Sequence, residues 1–325
     1  MHTMRALVVG DILQDTIAEL DANEADVTCR IDTRECEICF PYGSKIPVAN
    51  QSQCAGGNAA NVALGFTLLG MQTELASAVG DDDAGRRLLT TLARSGVGVT
   101  HVAQTKDVPT SSSFVVRYMG ERTIFSYHAP HTIAIEPSSV DVVYLTSART
   151  DMEHIQAQLA AVKRKVLVFQ PGTSQLRSGA TKLAPLLREV DLLIVNESEA
   201  ARLVRSSLIH QSPKQLLHAL LDTKAKEVVI TAGRRGAYMS DGRSFIHCDI
   251  IRSATRRDTT GVGDAFAAAY VWERFAEGGD MARAAQAGSH NAANVLTQTG
   301  AQRGLLDAQT MHQQMAKKEL TVTNL

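Results

Sequence analysis

The sequence predicts an α/β protein with a doubly wound, mostly parallel sheet, helices on both faces of that sheet, and a small β-sheet lid. Short apolar runs alternate with helical patterns through most of the 325 residues. Runs such as LLIV and VVYL are apolar throughout, which is typical of parallel strands covered on both faces. Two stretches, 16–53 and 112–127, interrupt this alternation and contain only strand-like patterns.

The elements of the predicted core follow one another along the chain. Strands rich in Val, Leu and Ile are predicted at 5–9, 73–79, 140–146, 166–169, 191–195 and 227–231. Helices are predicted at 58–69, 84–94, 262–275 and 281–296, where apolar residues recur with helical spacing. Gly70, Gly96 and Gly278 follow three of these helices, at the position where glycine commonly ends a helix.

The predicted lid comes from the two stretches without a helical period. The first contains VTCRI, CEICF and KIPVA between polar residues, and the second contains a hairpin of SFVVRY and RTIFSY. The chain is thereby divided into a core of 1–15, 54–111 and 128–325 and a lid of 16–53 and 112–127. Residues 317–325 are expected to form a solvated tail.

Composition and charge exclude several classes of protein. Hydrophobic residues make up 44% and charged residues 21%, the ordinary balance of a soluble chain that buries a large core. A net charge of −1 gives no electrostatic footprint for nucleic acid or an anionic membrane. No apolar stretch reaches the ~20 residues of a membrane helix, and the N-terminus lacks a signal-peptide pattern. We therefore expect a cytoplasmic protein that acts on a small molecule.

The five cysteines are an odd number, so a disulfide framework is not expected. Cys36 and Cys39 have the spacing of half a zinc site, but no second pair completes a recognisable ligand set. Two interpretations remain, a metal site and ordinary strand cysteines.

The most informative segment is the run DTTGVGDAF from Asp258 to Phe266. Gly261 and Gly263, at the start of an apolar helix, allow backbone amides to converge on one point without obstruction by Cβ atoms. The helix dipole adds partial positive charge there, so the site suits a phosphoryl group. Asp264, in the first helical turn, can accept a proton from an attacking hydroxyl. The alternative is a common Gly-x-Gly turn with an aspartate that only complements the dipole.

This run resembles the C-terminal signature of the ribokinase-like (PfkB) sugar kinase family. The segment AGGNAANVA, about 200 residues earlier, resembles the N-terminal signature of the same family. GDILQD after the first strand is similar to its first-strand motif, so the resemblance covers essentially the whole chain. It implies ATP-dependent phosphoryl transfer to a hydroxyl of a small sugar, with Asp264 as the base and the amides of Gly261, Val262 and Gly263 as an anion hole.

The resemblance also implies acceptor-binding residues. Asp15 corresponds to the carboxylate that binds acceptor hydroxyls, and Asp11 is a second candidate. A carboxylate just past a strand end also lies where open α/β sheets bind ligands, although a turn or cap role remains an alternative. The other candidates belong to the N-terminal signature and are Gly56, Gly57, Asn58 and Asn61. Capping alone would explain Asn58, but it does not require the paired glycines.

Further motifs that resemble those of the family predict the nucleotide-binding residues. Asn196 and Glu199 resemble the family's Asn-x-x-Glu motif, which organises Mg²⁺ and its waters, although a simple helix cap also fits. The remaining candidates for ATP binding are Thr231, Gly233 and Gly236 in a nucleotide loop and Asn294 beside the adenine pocket. Asp258 and Thr260 match positions that bind K⁺ in potassium-dependent members, and its use by this chain stays open.

Rival classes are distinguished by motif. No GxxxxGK[ST] is present, and GDILQD rather than GxGxxG follows the first strand, so a P-loop ATPase and a dinucleotide-binding dehydrogenase are disfavoured. A nucleoside kinase on the same fold remains the alternative, because Phe40 and Tyr42 can stack on a base unless they pack inside the lid. A non-catalytic sugar-binding regulator is disfavoured by the intact Asp264. The resemblance further implies a homodimer formed through the lid.

Overall fold

The structure is a computed structural model that describes residues 3–21, 23, 26–30, 35–119, 121–205, 211–252, 256–317 and 320–325, without the side chains of residues 29, 30, 35 and 36. Within these residues no helix is both long enough and apolar enough to span a bilayer.

The main sheet has ten strands in the order β16-β15-β14-β13-β12-β11-β10-β1-β6-β7, numbered along the chain. The parallel strands are β1 (Arg5–Val9), β6 (Gln72–Gly80), β7 (Val102–Thr105), β10 (Val142–Leu145), β11 (Val166–Phe169), β12 (Leu192–Asn196) and β13 (Glu227–Thr231). The antiparallel strands at one side are β14 (Ala237–Ser240), β15 (Phe245–Cys248) and β16 (Val322–Asn324). All six predicted core strands are present, with ends shifted by up to two residues.

Helices cover both faces of this sheet, as expected. They are α1 (Asn58–Leu68), α2 (Asp83–Arg94), α3 (Met152–Leu159), α4 (Thr173–Ser178), α5 (Ala180–Leu187), α6 (Glu197–Leu203), α7 (Pro213–Leu221), α8 (Val262–Val271), α9 (Met281–Val295) and α10 (Ala308–Lys317). The helix predicted at 262–275 changes to a π-helical turn at Trp272–Ala276.

Alternate residues of β1 enter two separate hydrophobic clusters. Ala6 and Val8 pack with α1, α8 and α9, whereas Leu7 and Val9 pack with α3, α5, α6 and α7. This division follows from the alternation of side chains along a strand, and it explains why the central strands are apolar at every position. Because these strands are parallel, their carboxyl ends all lie at the same end of the sheet.

The lid is a second sheet of four strands in the order β5-β2-β8-β9. Its strands are β2 (Leu13–Leu20), β5 (Val48–Gly56), β8 (Ser112–Tyr118) and β9 (Glu121–Tyr127). β2 pairs with β5 and β8, so the two distant stretches do meet in one sheet. Because β2 begins at Leu13 and β5 ends at Gly56, the predicted boundaries at 15/16 and 53/54 fall inside strands.

Two details of the predicted elements differ from the structure. The segments VTCRI and CEICF form a separate hairpin of β3 (Asp26–Arg30) and β4 (Glu35–Cys39) rather than strands of the lid sheet. The expectation of a solvated tail at 317–325 is wrong, because β16 pairs with β15 and Leu320 is buried in the core. Its three-residue strand is too short to give a recognisable alternation.

The cysteine pattern has no structural support as a metal site in the part of the chain that is described. Cys39 and Cys54 are free and exposed, and Cys248 is free and buried. No cluster of three or more His, Cys, Asp and Glu side chains suited to a metal ion occurs among the described residues. The side chain of Cys36 lies outside them.

Candidate active site

The candidate site lies where the carboxyl ends of the parallel strands face the lid. Asp11 follows β1, Gln170 follows β11, Asn196 ends β12 and Thr231 ends β13. In an open α/β sheet this edge forms the ligand crevice. The N-terminus of α8 is brought to the same place, because Asp264 in its first turn contacts Asn61 of α1 and Gln170.

Asp264 is a buried carboxylate with two amide donors. Nδ2 of Asn61 lies 2.8 Å from Oδ2, and Nε2 of Gln170 lies 3.5 Å from Oδ1. Burial raises the pKa of Asp264 to about 7, against the two hydrogen bonds, which lower it. The nearby charge of Glu199 raises the pKa further. A carboxylate with this pKa is half ionised near neutral pH, which suits a general base.

Both amides that hold Asp264 are themselves hydrogen-bonded. Oδ1 of Asn61 accepts from Nε2 of Gln302 at 3.0 Å. Oε1 of Gln170 accepts from the hydroxyl of Tyr144, a fully buried side chain. Each amide therefore has its oxygen on the outer side and its NH₂ group toward Asp264.

Gly261, the N-cap of α8, and Gly263, in its first turn, have different structural environments. Gly261 is the N-cap with φ 71°, in the left-handed region, and a Cβ there would collide with Ala301. A Cβ at Gly263 would meet no atom within 4 Å, so neither backbone conformation nor packing requires glycine at that position. Gly263 and Val262 line a cavity, and the missing side chain at Gly263 leaves room for a ligand at the helix start.

That cavity has a volume of about 500 Å³ and continues along the nucleotide-loop candidates. Its lining includes Asn196, Thr231, Gly233 and Gly236, together with an apolar part formed by Ile250, Ile251, Phe266, Ala292 and Leu296. Gly236 has φ 82°, and a Cβ there would collide with the carbonyl of Cys248. A polar end at a helix N-terminus and an apolar end fit the phosphates and the base of a nucleotide.

Asn196 and Glu199 form a reciprocal cap at the start of α6. Oδ1 of Asn196 accepts from the amide of Glu199 at 2.9 Å, and Oε2 of Glu199 accepts from the amide of Asn196 at 2.8 Å. Burial raises the pKa of Glu199, and the bonds to Asn196 lower it. The helix-cap interpretation is thus realised. Asn196 lines the cavity and the charge of Glu199 acts on Asp264, and a role of the pair in Mg²⁺ binding stays a prediction.

Asn294 stands apart from the other nucleotide candidates. Its side-chain amide donates to the carbonyl of Gly304 at 2.8 Å. The neighbouring Ala292, Ala293 and Leu296 line the cavity, and Asn294 is not among the lining residues. Its place beside the adenine pocket therefore stays a prediction.

Asp15 lies inside lid strand β2 and is buried against Gly56. Its Oδ1 accepts a hydrogen bond from the hydroxyl of Ser113, and a Cβ at Gly56 would collide with its carboxylate. Burial raises the pKa of Asp15, the bond from Ser113 lowers it, and the charge of Asp258 raises it. Gly56 is thus explained by the room that Asp15 needs.

Gly57 and Asn58 begin α1 beside the first strand. Gly57 is the N-cap with φ 93°, and a Cβ there would lie 2.6 Å from the carbonyl oxygen of Asp11. Asn58 is the first helical residue, and no side-chain hydrogen bond caps the helix. The capping explanation of Asn58 is therefore not realised.

Asp11 is held by the segment that follows β10. Its Oδ2 accepts from the amide of Arg149 at 3.0 Å and lies 3.8 Å from Nδ1 of His128. Burial raises the pKa of Asp11 to about 6, although the bond from Arg149 lowers it. Asp11 thus lies at the carboxyl end of β1, and its carboxylate already accepts a hydrogen bond from the amide of Arg149.

Asp258 and Thr260 form a compact turn before α8. Oδ1 of Asp258 accepts from the amide of Thr260 at 2.9 Å and from its hydroxyl at 2.6 Å. Oδ2 accepts from the amide of Gly300 at 2.9 Å, and Nε of Arg117 lies 4.0 Å away. Although burial alone would raise it, these bonds and the charge of Arg117 hold the pKa of Asp258 below its ordinary value. K⁺ binding at this pair stays a prediction.

Several site residues were missed in the sequence. Gln170 directly follows the apolar run VLVF, the same signal that identified Asn196 after LLIV. Gln302 and Tyr144 carry no such signal, because one lies in an irregular segment and the other inside an apolar strand. Arg117 and Arg122 of the lid donate to the carbonyl of Arg257 and the hydroxyl of Thr259, in the segment before α8.

A doubly wound core, a β-sheet lid and a cavity at a helix start are suited to a small-molecule kinase. The chain belongs to the pfkB family of carbohydrate kinases, whose model matches residues 24–308. Kinases of this family are ATP-dependent phosphotransferases, so the chain is a carbohydrate or nucleoside kinase.

The relatives differ in their acceptors. An ATP-dependent 6-phosphofructokinase of Thermoanaerobacterium thermosaccharolyticum is 27% identical over 261 residues, which cover 74% of this chain and 77% of that protein. The crystal structure of a nucleoside kinase of Methanocaldococcus jannaschii matches with a TM-score of 0.76 at 18% identity, covering 97% of this chain and 99% of the other. A putative ribokinase II of E. coli in complex with ATP and Mg²⁺ matches with a TM-score of 0.72 at 19% identity, covering 97% and 100%.

Proposed function

We propose that the protein phosphorylates a hydroxyl of a small sugar with ATP and that Asp264 is the catalytic base. The observation that carries this proposal is the buried Asp264 carboxylate at the first turn of α8, with a pKa of about 7 and next to a glycine that packing does not require. About half of a base with this pKa is ionised at neutral pH, and the ionised form still binds a proton well.

Each group of site residues has a separate role in the proposed phosphoryl transfer. Asp264 would take the proton of the acceptor hydroxyl as the hydroxyl oxygen bonds to the γ-phosphorus of ATP, and ADP would leave as the bond between that phosphorus and the bridging oxygen breaks. The amides of Gly261, Val262 and Gly263 stabilise the negative charge of the transferring group. When bound, MgATP supplies the phosphoryl group and the metal charge, and Asn196 and Glu199 are the residues that would hold the metal and its waters.

Acceptor binding is assigned to the side of the site that faces the lid. The Asp15 carboxylate lies against Gly56, and Asn61 lies in the first turn of α1, which begins directly after Gly57. Carboxylate and amide side chains bond sugar hydroxyls. Asp15 belongs to the lid and Asn61 to the core, so an acceptor bound by both would contact the lid and the core. Asp11 is the second carboxylate at this end of the sheet.

A nucleoside acceptor is the second candidate. It depends on the aromatic residues Phe40 and Tyr42, which were expected either to stack on a base or to pack inside the lid. Tyr42 is fully exposed and Phe40 is 39% exposed, so neither is buried in the lid. Exposed rings at these positions are available to a base, so the two aromatic residues do not decide between the acceptors. A free sugar, which requires no stacking partner, stays the preferred acceptor of this proposal.

The lid also supports the proposal of a homodimer. Phe114 and Phe125 are paired across β8 and β9, and both are exposed. Ile124 and Tyr127 of the edge strand β9 are exposed as well. An edge strand with exposed apolar side chains is suited to cover by a second copy of the chain.

The test is a screen of ATP consumption over sugars, sugar phosphates and nucleosides. We expect turnover with at least one free sugar, and its loss in Asp264→Asn. Turnover restricted to nucleosides would move the assignment to the second candidate. Turnover of any acceptor that persists undiminished in Asp264→Asn would contradict the assigned base.

A further inference from the structure

Gln302 reaches the base without touching it. Nε2 of Gln302 lies 3.0 Å from Oδ1 of Asn61, whose Nδ2 lies 2.8 Å from Oδ2 of Asp264. The three residues lie 241 and 203 positions apart along the chain. They thus form a continuous line of side-chain hydrogen bonds from the segment after α9 to the first turn of α8.

The direction of this line matters because an amide has a donor end and an acceptor end. Asn61 donates to Asp264 only if its oxygen points the other way, toward Gln302. A donor at Gln302 stabilises that orientation. In the reverse orientation the Asn61 oxygen would face the Asp264 carboxylate, an arrangement that a buried site tolerates only if the carboxyl group is protonated.

The segment that carries Gln302 is fixed to the catalytic turn. The amide of Gly300 donates to Asp258 at 2.9 Å, and Ala301 packs against Gly261. On its other side Gln302 borders a cavity of about 320 Å³ between α2, the β5 edge of the lid and residues 299–303. A side chain of similar length at position 302 therefore has room and does not have to disturb the core.

We propose that Gln302 is a positioning residue that fixes the amide of Asn61 and thereby keeps the Asp264 carboxylate ionised and oriented for proton transfer. The part about proton transfer rests on the proposed function, and the part about ionisation does not. The line acts on one oxygen of Asp264, while Gln170 and Tyr144 act on the other.

Two titratable groups, Glu199 and Tyr144, lie near Asp264, and their effects on its pKa must be distinguished from the effect of Gln302. Glu199 of α6 raises the pKa of Asp264 by its charge. Tyr144 of β10 has a pKa well above its ordinary value because it is fully buried, so it stays a neutral donor. A change at position 302 leaves both side chains in place.

The informative variant is Gln302→Glu, which replaces the donor by an acceptor of the same length. Gln298→Glu is the matched control, because it adds the same charge four positions away at an exposed residue that does not contact Asn61. Gln302→Met removes the donor without adding charge. Melting temperatures of all variants report whether the fold is retained.

The first readout needs no substrate. Side-chain carboxyl ¹³C signals of Asp-labelled protein are titrated, and the Asp264 signal is assigned by its absence in Asp264→Asn. We expect Gln302→Glu to raise the pKa of Asp264 by about one unit or more relative to Gln298→Glu, as expected when a hydrogen bond to a charged group is lost. Gln302→Met should give a smaller increase. Equal pKa values in Gln302→Glu and Gln298→Glu would overturn the proposal.

The second readout is the pH profile of turnover, with the acid limb expected to move by the same amount as the titrated pKa. If Gln302→Glu lowers turnover but leaves the acid limb of the pH profile at the wild-type pH, Gln302 has only a structural role, which contradicts the proposal. If the ¹³C titration moves while turnover does not depend on Asp264, the positioning of the carboxylate stands and the assignment of the base fails.

Discussion

Asn61 and Asp264 are joined by a hydrogen bond of 2.8 Å although they lie 203 positions apart along the chain. The bond connects the start of α1, in the N-terminal signature, with the start of α8, in the C-terminal signature. The two most informative parts of the sequence thus meet at one carboxylate. Each of the following predictions changes one group around it.

Replacing the base should remove catalysis and leave nucleotide binding. We expect Asp264→Asn to lower kcat by roughly 10²–10⁴, as for lost general-base catalysis, with the affinity for ATP changed by no more than a few-fold. Steady-state kinetics with the best acceptor from the screen measures both. A variant that kept more than a third of wild-type turnover would remove Asp264 from the mechanism.

The raised pKa of Asp264 gives a pH dependence of both activity and stability. Turnover should fall below about pH 7, because the base is protonated there. The folded pKa lies above the ordinary value of 3.8, so the free energy of unfolding contributed by this group decreases as the pH rises from about 4 through 7. Asp264→Asn should therefore melt at a higher temperature than the wild type at pH 8, and the difference should shrink toward pH 4. An equal difference at both pH values would contradict the raised pKa.

Gly261 and Gly263 should respond differently to a side chain. Gly263→Val is expected to cost at least ~10²-fold in rate, comparable to the loss of a transition-state donor, with little change in melting temperature because no atom lies near its Cβ position. Gly261→Ala is the matched comparison and should lower the melting temperature, since φ is 71° there. Full activity of Gly263→Val would refute the anion hole.

Asp15 should act on the acceptor alone. Asp15→Ala is expected to raise the acceptor KM sharply. Acceptor hydroxyls that lose their hydrogen bonds to a charged carboxylate lower the binding free energy by about 1–3 kcal/mol. The KM for ATP in the background ATPase should stay almost unchanged. Ser113→Ala, which removes the partner of Asp15, should give a smaller effect in the same direction. Equal weakening of both substrates would make Asp15 a structural residue.

The aromatic residues before β5 separate the two acceptor classes. A nucleoside kinase that stacks its base on Phe40 or Tyr42 should lose about 1–3 kcal/mol of acceptor binding on replacement of either residue by Ala, by analogy with other stacking platforms. We expect instead that Phe40→Ala and Tyr42→Ala leave the acceptor KM nearly unchanged. A selective rise in the acceptor KM of either variant would favour the nucleoside.

The sequence contained most of the core but not the contacts that shape the site. Strands such as Val166–Phe169 could be predicted because burial on both faces leaves a continuous apolar run. β2 was missed, because its residues LQDTIAEL mix buried and half-buried positions and its partners lie elsewhere in the chain. The same limit applies to Gln302, whose contact with Asn61 depends on the path of an irregular segment rather than on any local pattern.

The bonds of Arg117 and Arg122 tie the lid to Arg257 and Thr259, just before Gly261 at the start of α8. Any opening movement of the lid must break these bonds or carry the segment along. If the acceptor and ATP bind as we propose, a movement of the lid would therefore change both binding sites at once. Such coupling would keep water away from the bound phosphoryl group until the acceptor is in place.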